Sequence, residues 1–88
     1  MEIKTKPKPE FIQDYRQRIG KRIREYREMR GFNQDELAEL MEVNRSTISK
    51  IENGRFAISI DYLVKFAWYL DFEILLDEKI KNKNMSTY

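Results

Sequence analysis

Between Asn44 and Gly54 the chain reads Arg45-Ser46-Thr47-Ile48-Ser49-Lys50-Ile51-Glu52-Asn53. On a helix, Ile48 and Ile51 turn inward and leave Arg45, Ser46, Thr47, Ser49 and Lys50 on the outward side. Each of those five can donate a hydrogen bond to a base edge or a phosphate, and none is acidic. An ordinary helix surface mixes Glu with Lys, so a side of donors alone points to recognition of a polyanion. A helical hairpin with an unremarkable polar surface is the plainer reading of the same residues.

Other chemistry has little to work with. The 88 residues contain no Cys and no His, which removes disulfides, thiolate metal sites, a Cys nucleophile and the commonest neutral-pH base. Carboxylates such as Asp61 and Asp71 have no nucleophile and base arranged around them, so no enzymatic activity, metal or cofactor is expected. Tyr15, Tyr62, Trp68 and Tyr69 could stack on bases, but aromatics at helical spacing more simply serve a core or a subunit interface. No apolar run approaches the roughly 20 residues that span a bilayer, and no hydrophobic stretch follows the basic first residues. A reducing cytoplasm is the expected location, with no membrane partner.

The elements that must hold the donor helix are short. Asn33 can cap a second helix with Asp35 and Glu36 in its first turn and Leu37, Leu40 and Met41 on its apolar face. Asn44 can cap the third, Arg45 to about Asn53, which Gly54 closes. The turn between them is Glu42-Val43-Asn44. A tight helix-turn-helix needs a small residue at the crossing, which Ala38 supplies, and apolar residues on both inner faces and in the turn, which Leu37, Met41, Val43, Ile48 and Ile51 supply. Before these, Ile12, Tyr15, Ile19, Ile23 and Tyr26 form one helical stripe; Gly20 leaves open one long helix or a break near Ile19. After them, Ser59 can cap a fourth helix, Ile60 to Leu70, with Leu63, Phe66, Ala67 and Leu70 inward.

Charge is uneven along the chain. Residues 1–32 carry ten Lys and Arg against five Asp and Glu, a net +5, while residues 33–56 carry −2 and residues 57–88 carry −1. A polyanion partner and a solvated, helix-promoting face account for the basic third equally well. A chain this short buries only about 60–65% of its unfolded surface, so the core is small.

With these residues in view, Ile19 to Leu70 resembles the Cro and phage-repressor (XRE-type) helix-turn-helix family. The likeness lies in Gly-Lys-Arg-Ile-Arg-Glu from Gly20, in Gln34-Asp35-Glu36-Leu37-Ala38-Glu39-Leu40 and in Ser46-Thr47-Ile48-Ser49-Lys50-Ile51-Glu52-Asn53-Gly54. It implies an all-α, lambda-repressor-like bundle of four to five helices whose third lies in the major groove. On that likeness Arg45, Ser46 and Lys50 read bases, Thr47 and Ser49 contact bases or phosphates, and Asn33, Gln34, Asn53 and Arg55 hold phosphates. The family also pairs an Arg on the first helix with the Glu of Glu-Asn-Gly, here Arg27 and Glu52, expected partly buried. Two departures stand out: Glu42 occupies a turn position where the family usually has Gly, and Arg55-Phe56-Ala57-Ile58-Ser59 lacks the family's frequent Pro.

The ending carries the last expectation. In Asp71 to Asp77, Phe72, Ile74 and Leu76 alternate with Asp71, Glu73, Leu75 and Asp77, which reads as a strand; a short fifth helix is the other reading. A lone strand needs a partner, most simply the same segment of a second subunit, and the pattern resembles the ending of HipB-type antitoxins. The expected organisation is therefore a flexible basic arm over 1–10, a DNA-binding domain over 11–78 with a dimerisation segment at 71–77 (Phe72, Ile74, Leu76), and a polar tail over 79–88. The implied partners are double-stranded operator DNA, a second copy of the chain and a cognate toxin. An interaction module that keeps the fold without reading DNA is the alternative.

Overall fold

The computed structural model of the chain describes residues 5–79, so most of the tail and the first four residues of the arm lie outside it. Four helices follow one another: α1 (Pro9–Met29), α2 (Gln34–Met41), α3 (Arg45–Glu52) and α4 (Ile60–Leu70). Among the described residues no helix is long and apolar enough to cross a membrane.

Proline sets the start of α1. Its fixed φ suits the first helical position, where its missing N–H costs nothing, and Lys8 before it is extended. The helix thus takes in Pro9 and Glu10, which the sequence places in the arm, and it runs through Gly20 without a break. Asn33 caps α2 with a full capping box: Asn33 Oδ1 accepts from Glu36 N at 2.7 Å, and Asn33 N donates to Glu36 Oε1 at 2.8 Å. Ser59 caps α4 by accepting from Tyr62 N. Asn44 holds the cap position of α3 but its side chain makes no cap hydrogen bond, contrary to the expectation.

The chain reverses between α2 and α3 through a left-handed residue. Glu42 has φ 56 and ψ 46, and Val43 N donates to Ala38 O at 3.0 Å, satisfying a carbonyl the helix end would otherwise leave open. A side chain in this region carries strain of about 1 kcal/mol. The matching position after α3 is Gly54, φ 72, where no such strain arises.

Ile23 of α1, Leu37 and Ala38 of α2, Ile48 and Ile51 of α3, and Phe66 and Leu70 of α4 form the buried core. Leu63 and Ala67 are only half-buried. Leu40, expected on the inner face of α2, is exposed, as are Ile12 and Tyr15 on the first half of α1. The reason is geometric: α2 offers two turns, and its buried positions are used up by Leu37 and Ala38, whereas the first turns of α1 extend past the other helices.

Beyond α4, Asp71 is left-handed (φ 56) and Phe72 N returns to Ala67 O at 3.2 Å. Arg30, at the end of α1, donates to the carbonyls of Leu70 and Asp71 at 2.8 and 3.0 Å, tying the two helix ends together. Residues 72–79 then have no regular secondary structure. Neither the strand nor the fifth helix expected at 71–77 forms in the single chain; a strand requires hydrogen bonds from another segment, and no described segment supplies them.

Candidate nucleic-acid interface

The faces of α3 separate as its sequence dictates. Ile48 and Ile51 are buried in the core, Arg45, Ser46 and Lys50 are exposed, and Thr47 and Ser49 are half-buried along the margins. The structure therefore brings the five expected base contacts onto one helix, three of them fully presented and two at its edge. Arg45 Nε lies 3.6 Å from Asp35 Oδ1 of α2, an exposed pair of the kind worth about 0–1 kcal/mol.

What fixes α3 in place is the carboxylate at its end. Glu52 Oε2 accepts from Arg27 Nε at 2.6 Å, and Glu52 Oε1 accepts from Arg27 Nη2 at 3.0 Å and from Gln34 Nε2 at 3.1 Å. The two charged side chains are 8% and 2% exposed. Arg27 Nη1 also donates to Phe32 O at 2.8 Å, so one guanidinium joins α1, the α1–α2 turn and α3. The hydrogen bonds to Glu52 raise the Arg27 pKa above its ordinary value despite the opposing effect of burial, and the guanidinium stays charged.

Close approach of α1 to α3 depends on Gly20. A Cβ there would strike the Ile51 carbonyl oxygen and stand 2.8 Å from that of Glu52. Farther along the same face, Gln13 Nε2 donates to Gly54 O at 2.9 Å. The sequence marks Gly20 as a possible break in the first helix and as part of the family likeness, but not as a helix-crossing contact, and it does not mark Gln13.

The expected phosphate contacts divide. Arg55 is exposed in the loop after α3. Asn33 is exposed but its side-chain Oδ1 accepts from Glu36 N in the cap of α2. Gln34 is half-buried and spends an amide hydrogen on Glu52, and Asn53 donates to Ser49 O at 2.9 Å. Half of the six basic side chains of α1 pair within that helix: Arg18 with Asp14 at 2.9 Å, Arg22 with Glu25 at 2.8 Å and Arg24 with Glu28 at 3.5 Å. Arg18 and Arg22 also lie over the rings of Tyr15 and Tyr26. For these three arginines the helix-promoting reading is the better one.

The expected dimerisation residues are not equivalent. Phe72 is half-buried and stacks on Tyr26 of its own chain, ring centroids 5.0 Å apart, packing against the core. Ile74 and Leu76 are exposed, and so is Leu75.

Residues 23–75 match the profile of the helix-turn-helix family, a span from the middle of α1 to just beyond α4. The chain is 44% identical over 64 residues to the HTH-type transcriptional regulator SinR of Bacillus subtilis. It is 42% identical over 64 residues to that of Bacillus licheniformis. Each match takes in 69% of this chain and 58% of the relative, so the chain spans little more than half the length of these proteins. With the buried Arg27 and Glu52, the cap at Asn33 and the outward donors of α3 in their places, the chain belongs to the helix-turn-helix family of Cro and phage-repressor (XRE) type.

Proposed function

We propose that the chain is a sequence-specific DNA-binding transcriptional regulator that occupies a palindromic operator as a dimer and represses by blocking polymerase. The observation that carries this is the outward face of α3: Arg45, Ser46 and Lys50 exposed, with no carboxylate among them, on a helix held to α1 and α2 through Glu52. A rigid donor surface of this kind suits base edges in the major groove. The relatives named as transcriptional regulators support the same reading. The mechanism is binding alone, with no bond made or broken. A dimer doubles a contact area that for a single module is only about 600–1,000 Å².

Base readers and phosphate holders are separable by experiment. Replacing Arg45 or Lys50 with Ala lowers discrimination at particular base pairs by about 1–3 kcal/mol. Replacing Arg55 weakens all duplexes alike and makes affinity less dependent on salt. Equal effects from both kinds of change contradict the assignment. An interaction module that does not read DNA would carry acidic or bulky apolar side chains on this face, and α3 presents none.

A narrower reading makes the chain the antitoxin of a toxin and antitoxin pair. It is supported by the exposed Ile74, Leu75 and Leu76 after α4, in a segment that resembles HipB-type endings. A toxin gene beside this one, its product co-purifying with the chain, is the expected result; a purified neighbour product that does not bind contradicts it.

A further inference from the structure

The outer side of α4 carries apolar groups that the described residues leave exposed. Ile60, Val64 and Trp68 are 64%, 50% and 81% exposed and recur at four-residue steps. They therefore line up along the helix, away from the fully buried Phe66 and Leu70. Asp61 and Lys65, also exposed, flank this stripe on one side, a turn apart.

We propose that the stripe is a self-association surface, on which α4 of a second copy lies antiparallel about a two-fold axis passing by Val64. A two-fold interface must match itself, and this one does. Reversal about Val64 sets Ile60 against Trp68 of the second copy and Val64 against its own counterpart, so the smallest of the three residues sits where the helices meet most closely. The same operation keeps like flanks together. Asp61 then comes beside Lys65 of the second copy and Lys65 beside Asp61, two opposite-charge contacts produced by one pair of residues. Charge complementarity thus selects a second copy as the occupant. The three side chains supply about half of the roughly 800 Å² per partner that a standard interface buries, and Leu75 and Leu76, which follow α4, add apolar surface. A dimer that dissociates on dilution is the result.

This assignment rests on the dimeric part of the function proposed above and names the face that makes the dimer. Sedimentation of the full chain over a range of concentrations, followed in parallel by the emission of Trp68, the only Trp, tests it. Association accompanied by a blue shift of that emission is expected. Val64→Arg places two like charges on the axis and yields monomers. Asp61→Lys weakens the dimer about tenfold, equivalent to about 1.4 kcal/mol, and the exchange Asp61→Lys with Lys65→Asp restores it. All these positions are solvent-facing, and circular dichroism verifies that each variant is folded. A dimer that survives Val64→Arg, or that forms without a shift in Trp68 emission, overturns the α4 interface and leaves the dimer itself standing. A chain monomeric at every concentration overturns both.

Discussion

Arg27 and Glu52, 25 residues apart in sequence, meet in two hydrogen bonds of 2.6 and 3.0 Å with almost no access to solvent. Removing one partner strands the other as an uncompensated buried charge. Arg27→Met or Glu52→Leu alone is expected to cost about 3–5 kcal/mol in urea unfolding, and the double variant to regain most of it. Single losses below about 1 kcal/mol are what a surface pair would give, and would contradict the burial described.

Gly20→Ala has the opposite sign to the usual helix rule. Alanine in an open helix is favoured by about 1 kcal/mol over glycine. Here the added methyl meets the Ile51 and Glu52 carbonyls, which are backbone and cannot turn aside. A net loss of about 1–3 kcal/mol is expected in thermal or urea unfolding. A stabilised Gly20→Ala protein would mean that α1 and α3 cross less closely.

These two relationships mark where sequence reasoning stops. Caps are local, and Asn33, Ser59, Gly54 and the inward Ile48 and Ile51 could all be recognised from neighbouring residues. The Arg27–Glu52 pair could be anticipated only through a family resemblance, because nothing local links residues 25 apart. The packing role of Gly20 is hidden for the same reason: the carbonyls it accommodates belong to another helix. Leu40 misleads because an eight-residue helix has apolar positions to spare, and only packing decides which are covered. The alternation from Asp71 to Asp77 is real, but a strand needs a partner that periodicity cannot provide; Phe72 instead finds Tyr26 in its own chain.

Tyr62 predicts a stabilising substitution. Its ring stacks near Phe66 with centroids 5.7 Å apart, while its buried hydroxyl has no hydrogen-bond partner among the described residues. Tyr62→Phe removes that unsatisfied group, and a gain of about 1 kcal/mol is expected, or about 4–8 °C in Tm. Burial also raises the Tyr62 pKa above its ordinary value. For a pKa raised on folding, the associated stability is complete below the unfolded value near 10 and is lost as pH rises through the folded one. The Tyr62→Phe variant should therefore show a shallower decline of Tm above about pH 10; identical alkaline profiles would contradict the assignment.

Among the described residues, Asp35 is the one carboxylate in an ion pair with a proposed base reader, 3.6 Å from Arg45. Asp35→Asn releases that arginine and removes a negative charge beside the side proposed to face DNA. Affinity for duplex is expected to rise a few-fold at low salt, with the gain fading as ions screen the field. The helix loses a favourable first-turn charge worth about 0.3–1 kcal/mol. Unchanged or weaker binding, measured by fluorescence anisotropy at several salt concentrations, would show that Asp35 does not restrain Arg45.

Selection of bound sites from a pool of random duplex DNA tests the reading of α3 most directly. The expected product is an inverted repeat whose half-sites lie about one helical turn, roughly 34 Å, apart, with base preferences that change when Arg45 or Lys50 is replaced. A pool that emerges without any enriched sequence would contradict the assignment of α3 as a reader of DNA.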